Sequence, residues 1–109
     1  MHYYARQGEL NILKLEGEEI PKGLKELQPE KGQHILAHSE TGHHHVIDGN
    51  TARVFEVDEF SGYVDVPKKA EVIHLRSFDT HAPVSLDAGK YLITRQREYT
   101  PEGFRRAID

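Results

Sequence analysis

The chain has 109 residues, a formal charge of −4, 29% charged residues and no cysteine. That length suits one domain, residues 1–109, with a single modest core, and the missing cysteine excludes disulfides, thiolate zinc sites and cysteine nucleophiles. No apolar run approaches the roughly 20 residues of a membrane helix, and Met1-His2-Tyr3-Tyr4-Ala5-Arg6 lacks the apolar core of a signal peptide, so the expectation is a soluble, cytoplasmic protein without membrane contact.

Turn residues recur at short intervals with brief apolar segments between them, the pattern of a small all-β domain, a barrel or a sandwich. Gly8 precedes a first strand over residues 9–15, and Gly17 follows it. The stretch Ile20-Pro21-Lys22-Gly23-Leu24-Lys25-Glu26-Leu27-Gln28-Pro29 has a proline near each end and reads as a loop or a single helical turn. Strands are expected over 33–38 and 43–47. Asp48-Gly49-Asn50 then supplies the left-handed conformations of a tight hairpin, with a return strand over 51–57. Further strands fall at 62–66, 70–76, 84–86 and 90–99. Thr100 can cap a short C-terminal helix over 101–107, which Phe104 and Ile108 would pin to the sheet.

The run Thr41-Gly42-His43-His44-His45-Val46-Ile47 carries the clearest chemistry. Strand alternation puts His43 and His45 on one face and His44 on the other. With Gly49-Asn50 as the two-residue turn, His43 faces Glu56 and His45 faces Val54, so two imidazoles and a carboxylate share the far end of an apolar face. With Asp48-Gly49 as the turn, Val54 faces His43 and Glu56 leaves the set. His81, in Thr80-His81-Ala82-Pro83, and Glu98 on the last strand can complete a coordination sphere. The candidate metal ligands are therefore His43, His45, His81, Glu56 and Glu98, donors that suit zinc, iron, manganese or nickel. The alternative is a polar, hydrogen-bonded strand face without metal. His44 is expected to be exposed, as are His34 and His38 near a sheet edge, and His74 reads as an ordinary strand residue. Gln96, Arg97 and Glu98 read most simply as cross-strand pairs with a salt bridge to the C-terminal helix.

Other chemistries find less support. No nucleophile elbow surrounds Ser39, Ser61, Ser77 or Ser85, and no glycine-rich phosphate loop is present. From Lys90 onward five basic residues face three acids, with Tyr99 and Phe104 the only aromatics near the arginines, which argues against nucleic acid as a partner.

The segments Gln7-Gly8-Glu9-Leu10, Ile20-Pro21-Lys22-Gly23, Ile35-Leu36-Ala37, Thr41-Gly42-His43-His44-His45, His81-Ala82-Pro83-Val84, Ala88-Gly89-Lys90-Tyr91 and Gln96-Arg97-Glu98-Tyr99-Thr100-Pro101-Glu102 resemble an uncharacterised family of small bacterial and phage proteins. Its marks are Gly-His-x-His, His-Ala-Pro and a closing Gln-Arg-Glu-Tyr. The resemblance implies that His43, His45 and His81 are the family histidines and that His44 stands at a variable position. Phe78 occupies the place where some members carry a further histidine. The order His43, His45, His81 is also similar to that of the cupins, metal-binding β-barrels, although only Asp48 stands where a cupin glutamate would follow.

Of three functions from different classes, a nucleic-acid-associated protein using the basic C-terminal part has the least support, and two others compete. One is a small metal-binding β protein whose ion activates water or dioxygen, with Glu56 or Glu98 handling protons. The other is a noncatalytic binding or assembly module, such as a phage accessory or structural protein, without metal. The partner in either case is an unidentified small molecule or a second copy of the chain.

Overall fold

In the computed structural model, residues 1–37, 44–74, 82–95, 98–100 and 103–105 are described. They form β1 (His2–Gln7), β2 (Leu10–Lys14), β3 (Lys25–Leu27), β4 (Gln33–Ala37), β5 (His45–Asp48), β6 (Arg53–Asp58), β7 (Ser61–His74), β8 (Val84–Arg95), β9 (Glu98–Thr100) and β10 (Gly103–Arg105). All pairing is antiparallel. The first eight strands make one sheet, and β9 and β10 a separate two-stranded ladder. No helix among the described residues is long and apolar enough to cross a membrane.

The long strands β7 and β8 pair along most of their length and form the spine. Val64, Val66, Ala70 and Val72 on β7 and Leu86, Tyr91 and Ile93 on β8 are buried. Burying such apolar faces contributes the main driving force, about 25 cal/mol per Å² of apolar surface. Leu86 and Tyr91 are five apart yet enter one core, so β8 changes phase between them, at Ala88-Gly89. Opposite this point the register of β7 shifts between Val66 and Lys69, a bulge that holds Pro67. A bulge is where a strand tolerates a residue without an N–H.

The interruption continues outward across the sheet. β5 and β6 pair with the same edge of β7 at its two ends, Ile47 opposite Val72 and Arg53 opposite Asp65. They are two stretches of one line, separated by a turn in which Thr51 N donates to Asp48 O at 3.1 Å. β3 and β4 repeat the arrangement on the next line, with Leu27 opposite Val54 and Gln33 opposite Asp48. The two excursions touch, since Gly49 N donates to Gly32 O at 2.8 Å. A Cβ on Gly49 would lie 2.7 Å from Pro29 Cβ, so only glycine permits this approach. The breaks on four neighbouring lines align into a crease.

Across the crease the sheet folds over on itself, and one core unites both halves, with Leu10, Ile12 and Ile93 from one side and Ile47, Val72 and Leu86 from the other. Strand β1 joins them. Gly8, at φ +58°, is the first residue of the two-residue turn between Gln7 and Leu10, a position that favours glycine. Tyr4 sits at a bulge of β1 and donates its hydroxyl to Ser85 O at 3.0 Å. Its ring meets Tyr91 edge-on, with centroids 5.3 Å apart. Burial pushes the Tyr91 hydroxyl up to about 12, and it donates to Asp87 O at 2.7 Å.

Several expectations are corrected. Among the described residues β1 and β4 end the main path without outer partners, so the sheet is open and the expected barrel does not close. The hairpin expected around Asp48-Gly49-Asn50 does not form, because β5 and β6 each find a longer apolar partner in β7 instead of each other. The C-terminal helix is not observed: residues 103–105, within its expected span, pair as a strand with β9. Strand β1 lies ahead of the first expected strand.

Gly49→Ala should destabilise the fold by about 1–3 kcal/mol through overpacking against Pro29, read as a lower urea midpoint with an unchanged denaturant slope.

Candidate functional site

The site grows from β5, a short strand paired on both sides, with β4 and with the far end of β7. Its period-2 alternation sends Ile47 and His45 to the core face. The His45 ring is 1% exposed, and a buried imidazole needs partners for its polar atoms. Gln7, itself 2% exposed, arrives from the end of β1 across the folded sheet. Its Nε2 donates to Val72 O at 2.9 Å and to Ala82 O at 3.0 Å. Both amide hydrogens are thereby committed, and turning the amide over would set its oxygen against two carbonyls.

Gln7 Oε1 can therefore only accept, and its neighbour at 2.8 Å is His45 Nδ1. The proton sits on Nδ1, and in the neutral ring Nε2 carries the lone pair. Glu9 Oε1, from the turn that follows β1, stands 3.7 Å from Nε2. One two-residue turn thus brings up both an amide that fixes the tautomer and a carboxylate on the other side of the ring. This is how proteins orient a metal-ligating or proton-carrying imidazole.

Of the residues expected to ligate metal, His45 is placed in this cluster. His43 and His81 lie outside the described residues. Ala82, the residue after His81 in the chain, is held through its carbonyl by Gln7. Glu56 is exposed on β6, opposite Lys25 and Gly62. It pairs with the other end of β7 from His45, so the register that would have joined it to the histidines is absent. Glu98 is opposite Arg105 in the separate ladder. Among the described residues no group of three or more metal-binding side chains comes together.

Two further histidine expectations are corrected. His34 is 5% exposed, because it sits opposite Ile47 on the core face of β4. His44 is half-buried. Burial holds the His34 imidazole below its ordinary value, opposed by its hydrogen bond to the Ala52 backbone and by the Glu26 charge. Gln7 and Glu9 were not singled out in the sequence as site residues. Their signals in the sequence are a pair of polar side chains around a turn glycine and the place of Gln7-Gly8-Glu9-Leu10 among the segments that carry the family resemblance.

A family model described as a domain of unknown function, DUF8820, matches residues 6–96, most of the chain. The chain belongs to the DUF8820 family. The DUF8820 match takes in Gln7, Glu9, His43, His45 and His81 and agrees with the expectation of an uncharacterised family. No cupin or phage relationship accompanies it. No curated protein and no solved structure matches the chain.

Replacing Gln7 with leucine in the DUF8820 domain leaves the buried Val72 carbonyl and His45 Nδ1, together with the part-buried Ala82 carbonyl, without this partner, and should cost at least about 2 kcal/mol; chemical denaturation measures it. The His34 shift sets a pH dependence. The unfolded residue titrates near 6.5 and the folded one lower. Above pH 6.5 both states hold a neutral ring and stability is full. As pH falls below that value the unfolded chain takes up the proton first, so stability is lost. His34→Gln should lose less stability between pH 7.5 and 5.5 than the parent in parallel urea titrations.

Proposed function

We propose that the DUF8820 domain binds a divalent transition metal (zinc, iron, manganese or nickel) with Nε2 of His45 as its innermost ligand. The observation that carries the reading is the 2.8 Å contact between Nδ1 and Gln7, which orients the ring so that its lone pair lies beside the Glu9 carboxylate. His43, two residues before His45, and His81, one residue before the tethered Ala82, supply the further imidazoles. Glu9 takes the carboxylate place that Glu56 and Glu98 held in the sequence reading.

A cation at Nε2 suits this donor set. Neutral imidazole and carboxylate are borderline-to-hard ligands that serve all four metals, and the hydrogen bond at Nδ1 raises the basicity of Nε2. Bound there, the ion would act as a Lewis acid toward water or a small oxygen-containing molecule. Glu9, 39% exposed at the same end, is placed to exchange a proton with solvent. The setting proposed is a soluble, cytoplasmic protein acting on a small molecule.

Metal analysis of protein purified without a histidine tag or a nickel column should find near-stoichiometric metal. His45→Ala should lose it, and Glu56→Gln should retain it. A metal-free parent whose thermal midpoint is unmoved by EDTA overturns the reading.

A further inference from the structure

The outward face of the sheet carries an apolar row where polar residues are the rule. Tyr3 stands opposite Leu13, Leu13 opposite Leu92, Leu92 opposite Tyr63 and Tyr63 opposite Phe55, so one line of side chains crosses β1, β2, β8, β7 and β6. Residues directly opposite each other share a face, and their neighbours in the chain, Ile12, Tyr91, Ile93, Val64 and Val54, belong to the core. Tyr3 is 59% exposed, whereas Leu13, Leu92, Tyr63 and Phe55 are half-buried. The Arg53 guanidinium, 5.2 Å from the Phe55 ring centroid, covers one end of the row.

Strand β2 ends at Lys14, opposite Tyr91, and β3 begins at Lys25, opposite Glu56, with β8, β7 and β6 between them. Crossing from one to the other spans about 19 Å, and because the core fills the inner face, residues 15–24 pass over the outward one. They bring three apolar side chains, the buried Leu15 and the half-buried Ile20 and Leu24. Their polar anchors gather at the start of the crossing. Leu15 N donates to Lys90 O at 2.9 Å, Lys90 Nζ to Glu19 Oε2 at 3.1 Å and the Met1 amino group to Glu18 Oε1 at 3.0 Å, and His2 pairs with Glu16. Residues 20–24 make no hydrogen bond or ion pair to the sheet among the described residues. Gly17 and Gly23, at φ +85° and +87°, stand near the two ends of the segment.

We propose that residues 15–24 are a strap that closes over Leu92, Tyr63 and Phe55 with Ile20 and Leu24, and that opens between Gly17 and Gly23 while the sheet stays folded. Exposed ion pairs hold such a segment weakly and are screened by salt. The contact of two apolar side chains is what remains, which puts the strap at the low-stability end of the structure, whereas β7 and β8 are at the high end. Opening bares an apolar row on the sheet. The device is independent of His45 and needs no metal.

The test combines NMR on the full chain with binding of the apolar dye ANS. Nuclear Overhauser contacts from the Ile20 or Leu24 methyls to the Tyr63 or Phe55 ring are expected in the parent. Ile20→Ser should raise ANS fluorescence at least threefold while changing the amide exchange protection of Val64 and Val72 less than twofold. Adding Tyr63→Ser to Ile20→Ser should return the fluorescence to the parent level, because the dye then loses the row. Should Ile20→Ser not fold, Leu24→Ser makes the same test from the other end of the strap. The proposal is overturned if those methyl-to-ring contacts are absent, if the folded variant binds no more dye than the parent, or if its gain in dye binding comes with an equal loss of protection at Val64 and Val72.

Discussion

Folding an antiparallel sheet over along a crease brings the end of one half against the backbone of the other, and the carboxamide of Gln7 answers the resulting demand for hydrogen bonds. One side chain, 2% exposed, satisfies Val72 O, Ala82 O and the His45 ring at once. Because the amide is planar with donors on one atom and the acceptor on another, these three contacts admit one orientation. The position of β1 over β7, the tautomer of His45 and the tether on the segment after His81 therefore depend on one group. Tyr4, with its hydroxyl on Ser85 O and its ring against Tyr91, holds the other end of β1 in the same sense.

Three polar side chains are buried among the described residues, Gln7, His34 and His45. His45 is oriented by the Gln7 amide and has the Glu9 carboxylate on the other side of its ring. His34 lies on β4 opposite Ile47. The apolar core beside them, from Leu10 to Ile93, supplies the low-dielectric surroundings in which these polar contacts act strongly.

Local patterning was legible where one face of a strand is buried. Val64 and Val66, Ala70 and Val72, and Ile12 with Leu10 announce their strands by alternation, and the same alternation put His45 on the core side. The apparent gap between residues 66 and 70 was also physical, being the bulge at Pro67. The pairing of strands was not legible. Asp48-Gly49-Asn50 has the chemistry of a hairpin turn, and it does turn the chain, but the partner of β5 is chosen by apolar match to Ile73 and Val72 far along the sequence. Strand β1, His-Tyr-Tyr-Ala-Arg-Gln, shows little alternation because most of it is exposed or half-exposed. Gln7 and Glu9 meet His45 only after the sheet has folded over, so no spacing in the sequence could have joined them.

The alignment of breaks along the crease also bears on how such a chain can drift in evolution. Between Leu27 and Gln33 the outer line spends residues 28–32, and between Val54 and Asp48 its neighbour spends residues 49–53, so the two excursions are equal in length and the pairing resumes in register. An insertion or deletion in one excursion alone would slide one outer strand by a residue and turn its inward side chains to solvent. Length changes at the crease are thus coupled in pairs, and a sequence that lengthens near Pro29 must lengthen near Gly49 as well.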